Sequence, residues 1–333
     1  MSSFFAHWHL KCPKTSPTRR ILITVLAMFV VFISQRSPVQ AQEKSPPVPV
    51  PGPATVAVAV TEANRFQVRV VGQGPDVILI PGLGSSSEVW SATMEVLQKS
   101  YRVHTVQVGG FAGAPAGGNV SARAGEAVVA PTVAALQDYI VRQQLRAPIV
   151  VGHSIGGLMA MELALQHPGS VSKIVVVDAL PYVGLMFSPQ ASVAAFAPQA
   201  NFMRDQMIGM PDAAFAAQQA AGVVRLASRP ADQVRVAAWT VASDRHVFAQ
   251  AFYDAMTMDV RPRLATLKTP ATLFYALDAS AGQQEAPTDA MFRGAYQTLA
   301  HMRFRRFDDS RHFIMLDQPK AFVQALNEEL ALH

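Results

Sequence analysis

Ile149-Val150-Val151-Gly152-His153-Ser154-Ile155-Gly156-Gly157 is the stretch on which the reading of this chain turns. Ile149 to Val151 is an apolar run of the kind that forms a buried strand. A helical pattern follows, with Leu158, Met161, Leu163 and Leu165 among small residues. Between the two lies Gly-x-Ser-x-Gly. A strand that turns this abruptly into a helix forces its middle residue into a strained backbone conformation. Glycines two before and two after let the neighbouring elements approach without Cβ clashes. The Ser154 hydroxyl is thereby held out at the carboxyl end of a sheet, above a helix N-terminus whose N–H groups favour negative charge. The alternative is a glycine-rich turn whose serine only caps the helix. His153, beside the serine, points away from it and is expected to be structural.

Half of the 333 residues are hydrophobic and 15% are charged, which suits a large globular core. The formal charge of +5 is an N-terminal effect. Lys11, Lys14, Arg19, Arg20 and Arg36 lie within residues 1–41, where there is no acid; the remaining 23 basic and 23 acidic residues balance. Nothing argues for a nucleic-acid partner.

The basic stretch precedes Ile21 to Ile33, apolar apart from Thr24, and then Val39-Gln40-Ala41. This is the pattern of a secretory signal cleaved after Ala41, so residues 1–41 are expected to be a signal peptide and the product to be secreted or periplasmic. An uncleaved anchor would instead tie the chain to a membrane, although the run is short for a span. Arg19-Arg20 has a twin-arginine look, leaving the export route open. Cys12, the sole cysteine, falls in the removed part, so the mature chain would fold without disulfides. Residues 42–53 are a Pro-rich linker.

Further on, strand and helix patterns alternate. Strands are expected at Ala54–Val60, Phe66–Val71, Val77–Ile80, Tyr101–Val108, from Ile149, at Lys173–Val177, Ala271–Leu277 and Met302–Phe307. Helices are expected near Glu88–Lys99, over Val120–Leu145, after the serine, and at Ala286–Leu299 and Pro319–Leu330. Alternation of this kind means a mostly parallel sheet covered on both faces. Between Pro181 and Pro262 the strand signals stop, and residues 181–262 read as a helical insertion dividing a core of residues 54–180 and 263–333. Its Met186, Met203, Met207, Met210, Met256 and Met258 would line an adaptable apolar pocket or form the core of a small helical unit.

A serine nucleophile needs a base, and the base needs an acceptor to fix its tautomer. His312, on a loop between the last strand and the last helix, is the expected base. His104, His167, His246 and His301 sit at strand, helix-end or insertion positions and read as packing or surface residues. The expected acid is Asp278, at the end of the Ala271 strand, giving the order Ser…Asp…His. Asp178, at the end of the Lys173 strand, is its rival. Asp308 and Asp309 are expected to shape the His312 loop. The oxyanion donors would be the N–H groups of Ile155 and of Leu83, in the Pro81-Gly82-Leu83-Gly84 loop. There is no metal-ligand spacing and no cofactor motif.

With these residues the chain resembles the α/β-hydrolase family. The resemblance covers about residues 68–330 and rests on Pro-Gly-Leu-Gly at 81–84, Gly-His-Ser-Ile-Gly-Gly at 152–157, Asp278 and His312. It implies an α/β fold with an eight-stranded, mostly parallel sheet and a helical cap, which residues 181–262 would supply. Many members have His-Gly where Pro81-Gly82 stands, and a Gly-x-x-Asp turn where this chain has Ala276-Leu277-Asp278. The expected activity is hydrolysis of a small carboxylic ester with an apolar part, through an acyl-enzyme on Ser154. Acyl transfer, carbon–carbon hydrolysis, perhydrolysis and peptide cleavage use the same triad. A hydrolase-like binding protein without turnover is the reading outside enzymes.

Overall fold

The computed structural model describes residues 64–332. The expected signal segment with its cleavage after Ala41, the Pro-rich linker and the strand at Ala54–Val60 lie outside the described residues.

Seven strands form one sheet among the described residues: β1 (Phe66–Val71), β2 (Asp76–Ile80), β3 (Arg102–Val108), β4 (Ile149–His153), β5 (Lys173–Val177), β6 (Ala271–Leu277) and β7 (Arg303–Asp308), in the order β1-β3-β2-β4-β5-β6-β7. Only β1 runs antiparallel, pairing Phe66 with Val108; all other neighbours are parallel. The inner strands are buried on both faces, as their unbroken Val/Ile/Leu runs require.

Alternate residues serve opposite faces. Ile78, Ile80, Val150, Ile174 and Val176 pack beneath α2 (Val129–Arg142) and α3 (Ile155–Gln166). Val77, Leu79, Val151, Val175 and Val177 pack on the other side with Leu97 of α1 (Ser91–Leu97) and Phe322 and Leu326 of α10 (Pro319–Ala331). Each such side chain, taken fully out of water, contributes about 1.5–3 kcal/mol. α3 is buried on every side from Ile155 to Ala164, Glu162 included. The Arg263 guanidinium meets the Glu162 carboxylate at 2.5 Å, which compensates the buried charge.

The region from Val120 to Leu145 is not one helix. A 3-10 segment, Gly117–Ala124, ends at Gly125, whose φ of +79° takes it out of the helical region. α2 begins only at Val129, where the carboxylate of Asp254 accepts from the N–H groups of Val128 and Val129 at 2.7 and 2.9 Å. The acceptor lies 125 residues away, so local pattern does not reveal the start. Ser87–Trp90 likewise forms a 3-10 turn before α1, capped by the Ser86 hydroxyl.

Between β5 and β6 lie α4 (Val193–Gly209), α5 (Asp212–Gly222), α6 (Pro230–Ala242) and α7 (Arg245–Thr257), with no strand among them. They share an apolar core of Ala200, Met207, Phe215, Phe248, Phe252 and Met256. Met203 and Met210 pack against it, Met258 joins the main core, and Met186 stays 48% exposed. The insertion's methionines therefore serve chiefly as its filling. Leu83 packs against both this core and the main one, placing the insertion over the carboxyl end of β2. α8 (Glu285–Ala295) and the single turn α9 (Ile314–Asp317) complete the fold.

Candidate active site

The carboxyl ends of the parallel strands converge on the serine turn. Ser154 has φ 55° and ψ −121°. Three glycines make that turn sterically possible. A Cβ on Gly152 would stand 2.1 Å from the Gly156 carbonyl oxygen, and one on Gly156 2.6 Å from that of Ile80. On Gly157 it would meet Ala179 and Val176 side chains at 3.0 Å. The Ser154 N–H donates to the Val177 carbonyl at 2.9 Å, and β4 and β5 pair His153 with Val177. Ser154 and Asp178 thus leave the sheet side by side.

Asp178 has a positive φ of 45°, an arrangement Asp tolerates better than most residues. Its N–H donates to the Phe274 carbonyl at 2.7 Å, and its Oδ1 accepts from Ala276 N–H at 2.9 Å. Its Oδ2 lies 2.7 Å from Nδ1 of His312. The structure therefore brings the rival acid, not the expected one, to the histidine.

Asp278 is engaged elsewhere. Its Oδ2 accepts from Arg311 Nε at 2.6 Å, and its Oδ1 from the Ser280 hydroxyl and N–H at 2.5 and 2.9 Å. Burial opposes its charged form, yet the Ser280 and Arg311 hydrogen bonds and the Arg311 charge outweigh that and hold the carboxyl below its usual range. Both aspartates satisfy the order Ser…Asp…His, so order could not choose between them. Two signals could have done so: Asp178 ends the strand next to the serine strand, and Arg311 offers Asp278 a cation one residue before His312.

His153 does more than fill space. It is fully buried, and its Nε2–H donates to the His312 carbonyl at 2.9 Å. The two rings lie 4.5 Å apart, and Phe313 clusters with both, 4.7 Å from His153 and 5.6 Å from His312. Burial, then the neighbouring His312 charge, press its pKa well below the ordinary value despite that hydrogen bond, so it stays neutral. Its Nδ1 has no partner among the described residues and faces Gly82, where a Cβ would come within 2.8 Å.

The same hypothetical Cβ on Gly82 would lie 3.4 Å from Ser154 Cβ, so the 81–84 loop borders the serine directly. Gly84, at φ +66°, passes under Phe248 and Thr240 of the insertion. Leu83 N–H makes no hydrogen bond among the described residues. Ile155 occupies the first position of α3, where the helix itself leaves the N–H unused. Ser154 Oγ also makes no hydrogen bond among the described residues, His312 Nε2 included; such contacts commonly tighten only around a substrate. No group of three or more His, Cys, Asp or Glu that could hold a metal occurs among the described residues. His104 is buried at the far end of the sheet between Asp76 and Tyr139.

A family model described as "Alpha/beta hydrolase family" matches residues 77–325. Among curated proteins, the pimeloyl-[acyl-carrier protein] methyl ester esterase of Vibrio cholerae is 28% identical over 267 residues, covering 78% of this chain and 96% of that protein. The Vibrio campbellii protein of the same name is 34% identical over 110 residues, covering 33% of this chain and 39% of that protein. The chain thus spans about two fifths of several curated relatives it matches. Among solved structures, an enol-lactonase from Burkholderia xenovorans superposes with TM-score 0.65 at 18% identity, covering 82% of this chain and all of that one. A thermophilic esterase from Thermogutta terrifontis gives 0.66 at 18%, covering 83% and 98%. At these identities the structural likeness concerns the fold.

Proposed function

The chain belongs to the alpha/beta hydrolase family, and from that premise we propose that it is a serine hydrolase of small carboxylic esters, with Ser154 as nucleophile, His312 as base and Asp178 as the acid. Ser154 Oγ bonds to the ester carbonyl carbon while His312 Nε2 takes the hydroxyl proton. The proton then passes from His312 to the departing alcohol as the carbon–oxygen bond breaks, leaving an acyl-enzyme. Water adds by the same route in reverse and releases the acid. The N–H groups of Ile155 and Leu83 stabilise the oxyanion. Asp178 holds the His312 proton on Nδ1, so that Nε2 is free to accept.

The observation that carries this reading is the 2.7 Å contact between His312 Nδ1 and a carboxylate that ends the strand beside the serine. Relatives named as methyl ester esterases support ester cleavage as the reaction. The Phe- and Met-rich insertion over Leu83 supports a substrate with an apolar part. A fluorophosphonate probe should label Ser154 and not Ser154→Ala, with labelling strongly reduced in His312→Ala; a folded protein that stays unlabelled would refute the assignment. Export is part of the same proposal, and the secreted product should begin at Gln42.

A further inference from the structure

Asp278 stands where a triad acid was expected, yet its charge is spent on Arg311, the residue just before His312. What Arg311 does with the rest of its guanidinium is the informative point. Nη1 reaches over to the insertion and donates to the backbone carbonyls of Val224 and Ala227, the second at 3.3 Å. On the other side of His312, Phe313 N–H donates to the Leu226 carbonyl at 2.9 Å. Asp317 accepts from Arg311 N–H at 2.8 Å with one oxygen, and from the Ser228 N–H and hydroxyl at 2.8 Å with the other. Arg229 closes the seam by donating to the Leu316 carbonyl at 2.6 Å.

The turn at 224–229 is part of the insertion, between α5 and α6. The loop at 311–317 belongs to the core and carries His312. The two run together as a hydrogen-bonded seam that grips the main chain immediately before and immediately after His312. His153 takes the His312 carbonyl from below. Arg311 is the one side chain in this seam that also reaches the end of β6, through Asp278. A planar fork can serve a carboxylate and two carbonyls at once; a lysine ammonium lacks that geometry.

We propose that Arg311 is a positioning residue that fastens the helical insertion to the His312 loop, with Asp278 as its anchor in the sheet, so that the seating of the insertion sets where the His312 imidazole stands. This rests on the reading of His312 as the base. It also accounts for the acid lying on Asp178: Asp278 has become the anchor of the clamp. A substrate that shifts the insertion therefore shifts the base with it.

Arg311→Met keeps the stem and removes the fork. It should lower kcat on a short-chain p-nitrophenyl ester by about 10- to 100-fold, the scale of a misplaced reacting group, with KM changed little. Fluorophosphonate labelling of Ser154 should slow by the same factor. Asp278→Asn should fall in the same range, because its amide turns a donor toward Arg311. The double variant should be no worse than the poorer single, since one clamp is being removed twice. Hydrogen exchange at Phe313 and Ser228 should rise together in all three. Unchanged kcat with a lowered Tm would overturn the proposal, leaving Arg311 a merely structural role. Loss in Asp278→Asn as deep as in Asp178→Asn would overturn it too, by making Asp278 the acid. If the wild-type protein neither hydrolyses nor labels, the function fails instead, and the exchange at Phe313 and Ser228 alone then decides whether Arg311 joins the two segments.

Discussion

Replacing Asp178 by Asn is the sharpest perturbation the site offers, because it changes one atom and nothing in shape. Ala276 N–H already claims Oδ1 of Asp178, so the asparagine oxygen will stay there. The new amide then faces Nδ1 of His312, across a gap that is 2.7 Å in the native protein. Two donors cannot share it, so the imidazole proton moves to Nε2, the nitrogen that must receive the Ser154 proton. Wrong-tautomer replacements of this kind cost about 10⁴-fold in kcat, or about 5.4 kcal/mol at 1.36 kcal/mol per decade. The measurement is kcat on a short-chain p-nitrophenyl ester, beside the rate of fluorophosphonate labelling and a circular-dichroism check of folding. If Asp178→Asn stays within about tenfold of wild type, the size of one ordinary hydrogen bond, the assignment of the acid is wrong.

Gly82→Ala should lower kcat by about 10²-fold in a folded protein, because its Cβ meets His153 Nδ1 at 2.8 Å and borders Ser154; kcat beside a thermal melt tests it. His153→Phe keeps the ring but leaves the His312 carbonyl without its donor, and urea unfolding should show a loss of about 1–3 kcal/mol together with reduced turnover. Acid should weaken the fold through two histidines. Burial lowers the pKa of His153 and also that of His104, where it prevails over the Asp76 contact. The unfolded chain therefore binds more protons than the folded one below about pH 6.5, and each histidine withdraws up to about 1.4 kcal/mol per pH unit until its folded pKa is passed. Tm measured from about pH 7.5 down to 5 should fall, and should fall less steeply in His153→Gln; a flat profile would contradict the buried, neutral state of both rings.

Much of the fold is legible because it rests on local pattern. β1 has the bounds its alternating pattern indicates and β6 those of its apolar run, and the Gly-x-Ser-x-Gly turn announces itself through glycines that no other residue could replace. Three features are not legible, for one physical reason: each depends on a partner far away in sequence. The late start of α2 is set by Asp254. The role of His153 depends on a carbonyl 159 residues distant. Which carboxylate meets His312 is decided 134 residues away, by the strand that lies beside β4. Asp178 ends β5, the neighbour of β4, whereas Asp278 ends β6, one strand further out, where Arg311 engages it.

The insertion divides β5 from β6, strands that hydrogen-bond directly to one another. Joining the two halves of the sheet therefore closes a loop that holds four helices. Ser154 and Asp178 stand on one side of that junction, and His312 reaches them only from the other. Long-range pairing of this sort is slow, because loop closure precedes any reward. During refolding from denaturant, helical ellipticity should recover first and Ser154 labelling last. Reactivity toward the probe would then time the closing step of assembly, and a chain stalled with an unfinished insertion would be inert rather than promiscuously active.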